Sequence, residues 1–167
     1  RLGGALVTGA GRGLGRESAR SLAARGHADH VTDIDIEAAE KTAAEIGDLA
    51  FASALDVGDE EACRAAASIT ALRCGNLAVW VNNAGILPLG FGWESDDRER
   101  RLAFDVNTFG TINGTLAALA LMRPDGQGHV LNVVSLAGIG TAPGANLYAA
   151  TKHASLAFTL GPPLDPK

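Results

Sequence analysis

Scarcity marks this chain before any motif does. Its 167 residues hold one tyrosine, one methionine, two tryptophans and two cysteines, and aromatic residues make up only 5%. Cys63 and Cys74 show no metal-ligand spacing, and two isolated thiols fit a reduced, cytosolic protein rather than a disulfide framework. No secretory signal is recognisable, and the longest apolar run, Leu116 to Met122, is far too short to cross a bilayer. Basic residues are outnumbered, with a net charge of −5 and a pI near 5.3, so a nucleic-acid surface is not expected. Arg98, Arg100 and Arg101 alternate with acids and read as a solvated helix face. Repeats, low-complexity tracts and linkers are also missing. A hydrophobic fraction of 47% with 21 glycines suits an aliphatic α/β protein, with residues 1–167 as one domain.

Strand-like and helix-like stretches alternate. Short apolar strands are expected at 5–7, 28–34, 49–55, 77–81 and 129–134. Helical patterns fall at 14–25, 36–46, 60–72, 98–122 and 147–160, with Gly47, Pro124 and Gly161-Pro162-Pro163 as stops. Such β-α-β-α order implies a doubly wound parallel sheet with right-handed crossovers and a ligand site at the C-terminal strand ends.

The candidate chemistry lies at those ends. The first strand runs into Gly9, Gly13 and Gly15, where a helix begins near Leu14. Glycines there allow a tight turn and close approach of a pyrophosphate, and the free N–H groups of a helix start favour an anion. Asn82-Asn83-Ala84-Gly85 closes the fourth strand; its asparagines either tie neighbouring strands together or meet a ligand. Tyr148 and Lys152 are four apart on a predicted helix and therefore share one face. Free tyrosine ionises near ~10, and a neighbouring ammonium favours the phenolate that a base requires. Ser135, leaving the fifth strand, can stabilise charge on a substrate oxygen. His27, Asp29 and His30 sit at the wrong end of a strand for this site, and the Asn113-Gly114-Thr115 sequon falls inside a predicted helix.

Thr8-Gly9-x-x-x-Gly13-x-Gly15, Asn82-Asn83-Ala84-Gly85, Asn107, Ser135 and Tyr148-x-x-x-Lys152 together resemble the short-chain dehydrogenase/reductase family, in order and in spacing, over essentially the whole chain. The resemblance implies a Rossmann-type sheet, a nicotinamide cofactor and an alcohol or carbonyl substrate. It places cofactor contacts at Gly9, Arg12, Gly13, Leu14, Gly15, Asp33, Asp56, Val57, Asn83, Ala84 and Gly85. Tyr148 becomes the acid/base, with Lys152 also holding the nicotinamide ribose. Ser135 becomes the substrate-oxygen donor, and Asn107 part of a water-holding proton relay. Asp33 matches the acid of NAD enzymes, since a carboxylate accepts ribose hydroxyls and repels a 2′-phosphate. Arg12 is similar to the basic residue of NADP enzymes, and Asp35 competes with Asp33 for its role; NAD is favoured, with NADP open. Asp56-Val57 resembles the family pair that brackets the adenine, the plainer alternative being a helix-start acid, which is the reading for Asp59.

Family members continue beyond the Tyr-Lys helix, so the resemblance implies a C-terminally truncated member, with an apolar edge at 129–134 and uncertain turnover. A non-catalytic dinucleotide-binding module is the rival reading. The helices at 98–122 and 147–160 match those that form a main dimer contact in the family, so the resemblance also implies a homo-oligomer. Leu87, Leu89, Phe91, Trp93 and Ile139 around the site hint at an apolar alcohol or ketone.

Overall fold

The computed structural model describes residues 2–161. Its centre is a five-stranded, all-parallel sheet in the order β3-β2-β1-β4-β5. The strands are β1 (Gly4–Val7), β2 (Ala28–Asp33), β3 (Ala50–Ala54), β4 (Leu77–Asn82) and β5 (His129–Asn132). Helices α1 (Gly13–Ala24), α2 (Ile36–Ile46), α3 (Glu60–Cys74), α4 (Asp97–Phe104), α5 (Gly110–Met122) and α6 (Asn146–Thr159) form the crossovers and the final element. This is the expected α/β, Rossmann-type arrangement, and the order reverses between β1 and β4, where such sheets open a crevice.

Burial divides by strand parity, as a two-sided sheet requires. Ala5, Val7, Val31, Val79 and Val81 meet Ala19, Ala39 and Ala43 of α1 and α2. Leu6 and Trp80 meet Cys63, Ala66, Ala67, Ala117 and Ala118 of α3 and α5 on the other face, joined by Leu77, which breaks parity because the register of β4 against β1 shifts just after it. The helical partners are mostly alanine, so the helices lie close to the sheet. Gly114 shows how close, because a Cβ there would collide with the side chains of Asn82 and Trp80. Beneath it the Trp80 Nε1–H donates to Asn82 Oδ1 at 2.7 Å, and Asn82 Nδ2 donates to Asn132 Oδ1 at 2.8 Å and Thr115 Oγ1 at 3.1 Å. One asparagine thus joins β4, β5 and α5.

Two expected elements differ. The long helix at 98–122 is interrupted by a π turn at Asp105–Phe109, where the Gly110 amide reaches back to the Asp105 carbonyl. Asn107 sits inside it. The last strand ends at Asn132 rather than 134, although the Val133 amide still donates to the Asn82 carbonyl at 2.9 Å. Within the described residues β5 pairs only with β4 and leaves Leu131 half exposed, matching the edge expected there. The predicted stop at Pro162-Pro163 lies outside the described residues.

Candidate active site

α2, α3 and α4 each start with an aspartate, Asp35, Asp59 or Asp96, whose side chain accepts a first-turn amide. α1 has no such cap. It starts after Arg12 with no side-chain acceptor and no acid in its first turn, which leaves its amides available to an outside anion. Gly15 packs so closely on the preceding turn that a Cβ would strike the Gly9 carbonyl and the Asn83 side chain. That cradle opens into a cavity of about 360 Å³ whose walls include Gly9, Arg12, Leu14, Gly15, Asp33, Asp56 and Val57, with Asn83, Ala84 and Gly85 opposite. Of the expected cofactor contacts, Gly13, Tyr148 and Lys152 are not in this wall, and the last two line the neighbouring cavity described below. Ile34, Leu55, Ile86, Leu102 and Val106 complete the wall and carried no signal as contacts in the sequence.

Asp33 is held from behind. Its Oδ2 accepts the Gly11 amide at 2.9 Å and its Oδ1 the Asp35 amide at 3.1 Å. Asp35 itself is committed to capping α2 through Ala38 at 3.2 Å, so the carboxylate on the cavity is that of Asp33. Arg12 lines the same cavity. The residues therefore fit a dinucleotide: uncapped amides for the pyrophosphate, a preset carboxylate for ribose hydroxyls, and apolar Ile34 and Val57 beside a flat base.

A second cavity, about 350 Å³, holds Ser135, Tyr148 and Lys152 with Ile86, Leu87 and Val133, and it shares Asn83, Gly85 and Ile86 with the first. Lys152 is buried; its Nζ donates to the Val133 carbonyl at 3.0 Å and lies 5.8 Å from the centre of the Tyr148 ring. Burial lowers its pKa below the usual lysine value. Ser135 has φ +24°, the one non-glycine residue in the left-handed range among those described, and its Oγ accepts the Ala137 amide at 3.2 Å. Strain of this kind is kept where the surroundings enforce it, and it is common at reactive positions.

Asn107 lines neither cavity. Fully buried, it accepts the Ile86 amide at 2.8 Å and donates to the Ile86 carbonyl at 2.9 Å and Thr151 Oγ1 at 3.0 Å. Thr151 Oγ1 in turn donates to the Tyr148 carbonyl at 2.7 Å, and Ser155 Oγ to the Asn107 carbonyl at 2.7 Å. Asn107 thus pins the loop after β4 to the helix bearing Tyr148 and Lys152. Thr151 and Ser155 escaped sequence reasoning; their only signal was hydroxyls placed three and seven residues after Tyr148, on a face turned inward. Asn83 is structural as well, donating to the Thr8 and Gly9 carbonyls at 2.9 and 3.0 Å. His30, by contrast, is buried far from this site between Thr70 and Ser53 hydroxyls, at 2.8 and 2.6 Å, with its pKa lowered to about 4 by burial.

The family profile described as short chain dehydrogenase matches residues 4–162. The chain belongs to that family. A 3-alpha-(or 20-beta)-hydroxysteroid dehydrogenase of Mycobacterium tuberculosis is 35% identical over 164 residues, covering 95% of this chain and 63% of its own length. Among solved structures, a short-chain dehydrogenase/reductase of Burkholderia phymatum in complex with NAD superposes with a TM-score of 0.89 at 30% identity, over 94% of this chain and 57% of that one. An alcohol dehydrogenase of Thermococcus sibiricus, complexed with 5-hydroxy-NADP, gives 0.87 at 29% identity, over 93% and 68%. The chain spans about three-fifths of the length of the curated relative, 63% of it. Within the described residues no helix is long and apolar enough to cross a membrane, and no cluster of potential metal ligands occurs.

Proposed function

We propose that this chain carries the cofactor site and acid/base of an NAD-dependent oxidoreductase acting on an alcohol or ketone. The observation that carries the reading is the meeting of two cavities at Asn83–Ile86, one built for a dinucleotide and the other holding Ser135, Tyr148 and Lys152. A nicotinamide cofactor bound in the first supplies the hydride acceptor or donor. In the oxidative direction the substrate hydroxyl would give up its proton to the Tyr148 phenolate oxygen while the carbinol hydride would go to the cofactor; reduction would run the reverse. Lys152 stabilises the phenolate by its charge and grips the ribose, and Ser135 Oγ donates to the substrate oxygen as charge develops. The Ser135 hydroxyl accepts from the Ala137 amide, which leaves its O–H proton free to donate to the substrate. Asn107 holds the backbone that positions Tyr148. Asp33, fixed by two amides, favours NAD over NADP, and NADP binding depends on Arg12 outweighing it. Apolar substrates suit the second cavity, and the relative acting on hydroxysteroids is consistent with that.

Tyr148→Phe tests the reading. Turnover of secondary alcohols, followed as NADH absorbance, is expected to fall by about 10²–10⁴-fold, since a positioned acid/base contributes that much, with cofactor affinity nearly unchanged. A variant keeping more than a tenth of the parent rate removes Tyr148 from its role. Cofactor binding without turnover in the parent favours the alternative of a dinucleotide-binding module.

A further inference from the structure

The loop between Ile86 and α4 carries more apolar surface than a solvent-facing segment usually does. Leu87 is 58% exposed, Leu89 68% and Trp93 82%. The Phe91 and Trp93 rings stack with centroids 4.8 Å apart and planes 2° from parallel. This arrangement is anchored rather than loose. The Gly90 amide donates to the Gly144 carbonyl at 2.8 Å, tying the loop to the approach of α6, and the Phe91 amide donates to Glu94 Oε2 at 2.8 Å. Phe91 and Leu89 line a cleft of about 100 Å³ together with Leu147, while Leu87 lines the cavity of Tyr148. Consecutive residues, Leu87 with Pro88 and Leu147 with Tyr148, therefore wall the cleft and the reaction cavity from both sides. Trp93 does not line the cleft. It stacks on the Phe91 ring and so buttresses a residue that does line the cleft.

We infer that Phe91, buttressed by Trp93, is a platform that selects alcohols and ketones carrying a rigid body of more than one ring, with the reacting carbon at Tyr148 and the remaining rings along Leu87, Leu89 and Phe91. A preset aromatic face gains most from a flat or alicyclic partner, which covers its area without losing rotamer freedom. Polyols and charged substrates gain nothing there. The assignment rests on the proposed hydride-transfer site and adds to it the substrate class.

The probes are trans-1-decalone and cyclohexanone, titrated calorimetrically into the protein saturated with NAD, where no hydride is available and binding alone is read. Decalone is expected to bind at least tenfold more tightly than cyclohexanone, a gap of about 1.4 kcal/mol. Phe91→Ala should close that gap and Phe91→Tyr should keep it, while Trp93→Ala narrows it severalfold; NAD affinity should stay unchanged in all three. Equal affinities in the parent, or a gap surviving Phe91→Ala, overturn the platform and leave the cofactor site standing. Absence of NAD binding in the parent overturns both. A blue shift of Trp93 emission with rising protein concentration, abolished in Phe91→Ala, would show a second copy on this face and also overturns it.

Discussion

Asp29 offers the sharpest test of the physical reasoning, because no donor meets its carboxylate in good hydrogen-bond geometry. It lies on β2 between Ala5 of β1 and Ala50 of β3, is 0% exposed, and neither carboxylate oxygen has a hydrogen-bond partner. Burial raises its pKa from 3.8 to about 7; the backbone at Ala23 offsets a little of the rise. The folded chain then holds this proton up to about pH 7, whereas the unfolded chain releases it near 3.8. Between those values the folded state binds more protons, so stability falls as pH rises, by roughly 1.4 kcal/mol per unit, and levels off above the folded pKa. The cost is roughly 1–2 kcal/mol at pH 5 and on the order of 4 kcal/mol at pH 8. Asp29→Asn removes the titration and keeps the volume. Its advantage over the parent should therefore grow by about 3 kcal/mol from pH 5 to pH 8. With a urea slope of about 2 kcal/mol/M for a chain this size, the gap between unfolding midpoints widens by about 1.5 M. Comparing the two proteins at both pH values cancels every other titrating group. A gap that is the same at pH 5 and pH 8 would show that Asp29 is not the buried, unpaired acid described.

Three further outcomes are expected. Asp33→Ser should weaken NAD and strengthen NADP, both read by reduced-cofactor fluorescence; a parent that already prefers NADP reverses the weight given to Asp33 and Arg12. Gly15→Ala should lower cofactor affinity at least tenfold and cost about 1–3 kcal/mol of stability, because its methyl meets the Gly9 carbonyl and the Asn83 side chain; unchanged melting and affinity would refute the close approach. Thr151→Val should cost about 1–3 kcal/mol by stranding the buried Asn107 amide, with Thr151→Ser nearly neutral. Equal midpoints for the Val and Ser variants in urea would remove Thr151 from the network.

Most of the sheet was readable in the sequence because strands such as β1 and β4 are short apolar runs, while β2, with Asp29, His30 and Thr32, was legible mainly from its place in the alternation of strands and helices. The cofactor wall was readable for a related reason: its glycines, Asp33 and Asp56 stand at strand ends, where chain position and spatial position coincide. What stayed hidden depends on side chains meeting across the fold. Nothing local distinguishes Thr151 or Ser155 from other helix hydroxyls, and nothing marks Ile34 or Val106 as cavity walls. Asp35 and Asp33 were indistinguishable by type and spacing until the capping of α2 claimed one of them. The π turn was equally silent, since Asp105–Phe109 contains no glycine or proline to mark a break in the helical stretch around it.

That turn is an insertion the rod absorbs. A π turn carries one residue more than the α-helix would, taken up in a wider coil, so α4 and α5 keep the phase of a helix one residue shorter. Asn107 sits in the widened coil, and from there its side chain meets the Ile86 backbone on one side and Thr151 on the other. Deleting one residue from 105–109 would let the rod run on as ordinary α-helix with its flanks still in phase, while moving Asn107 away from those partners. The segment is therefore a local swelling that serves one side chain: the rod tolerates its loss, and the link between Ile86 and α6 does not.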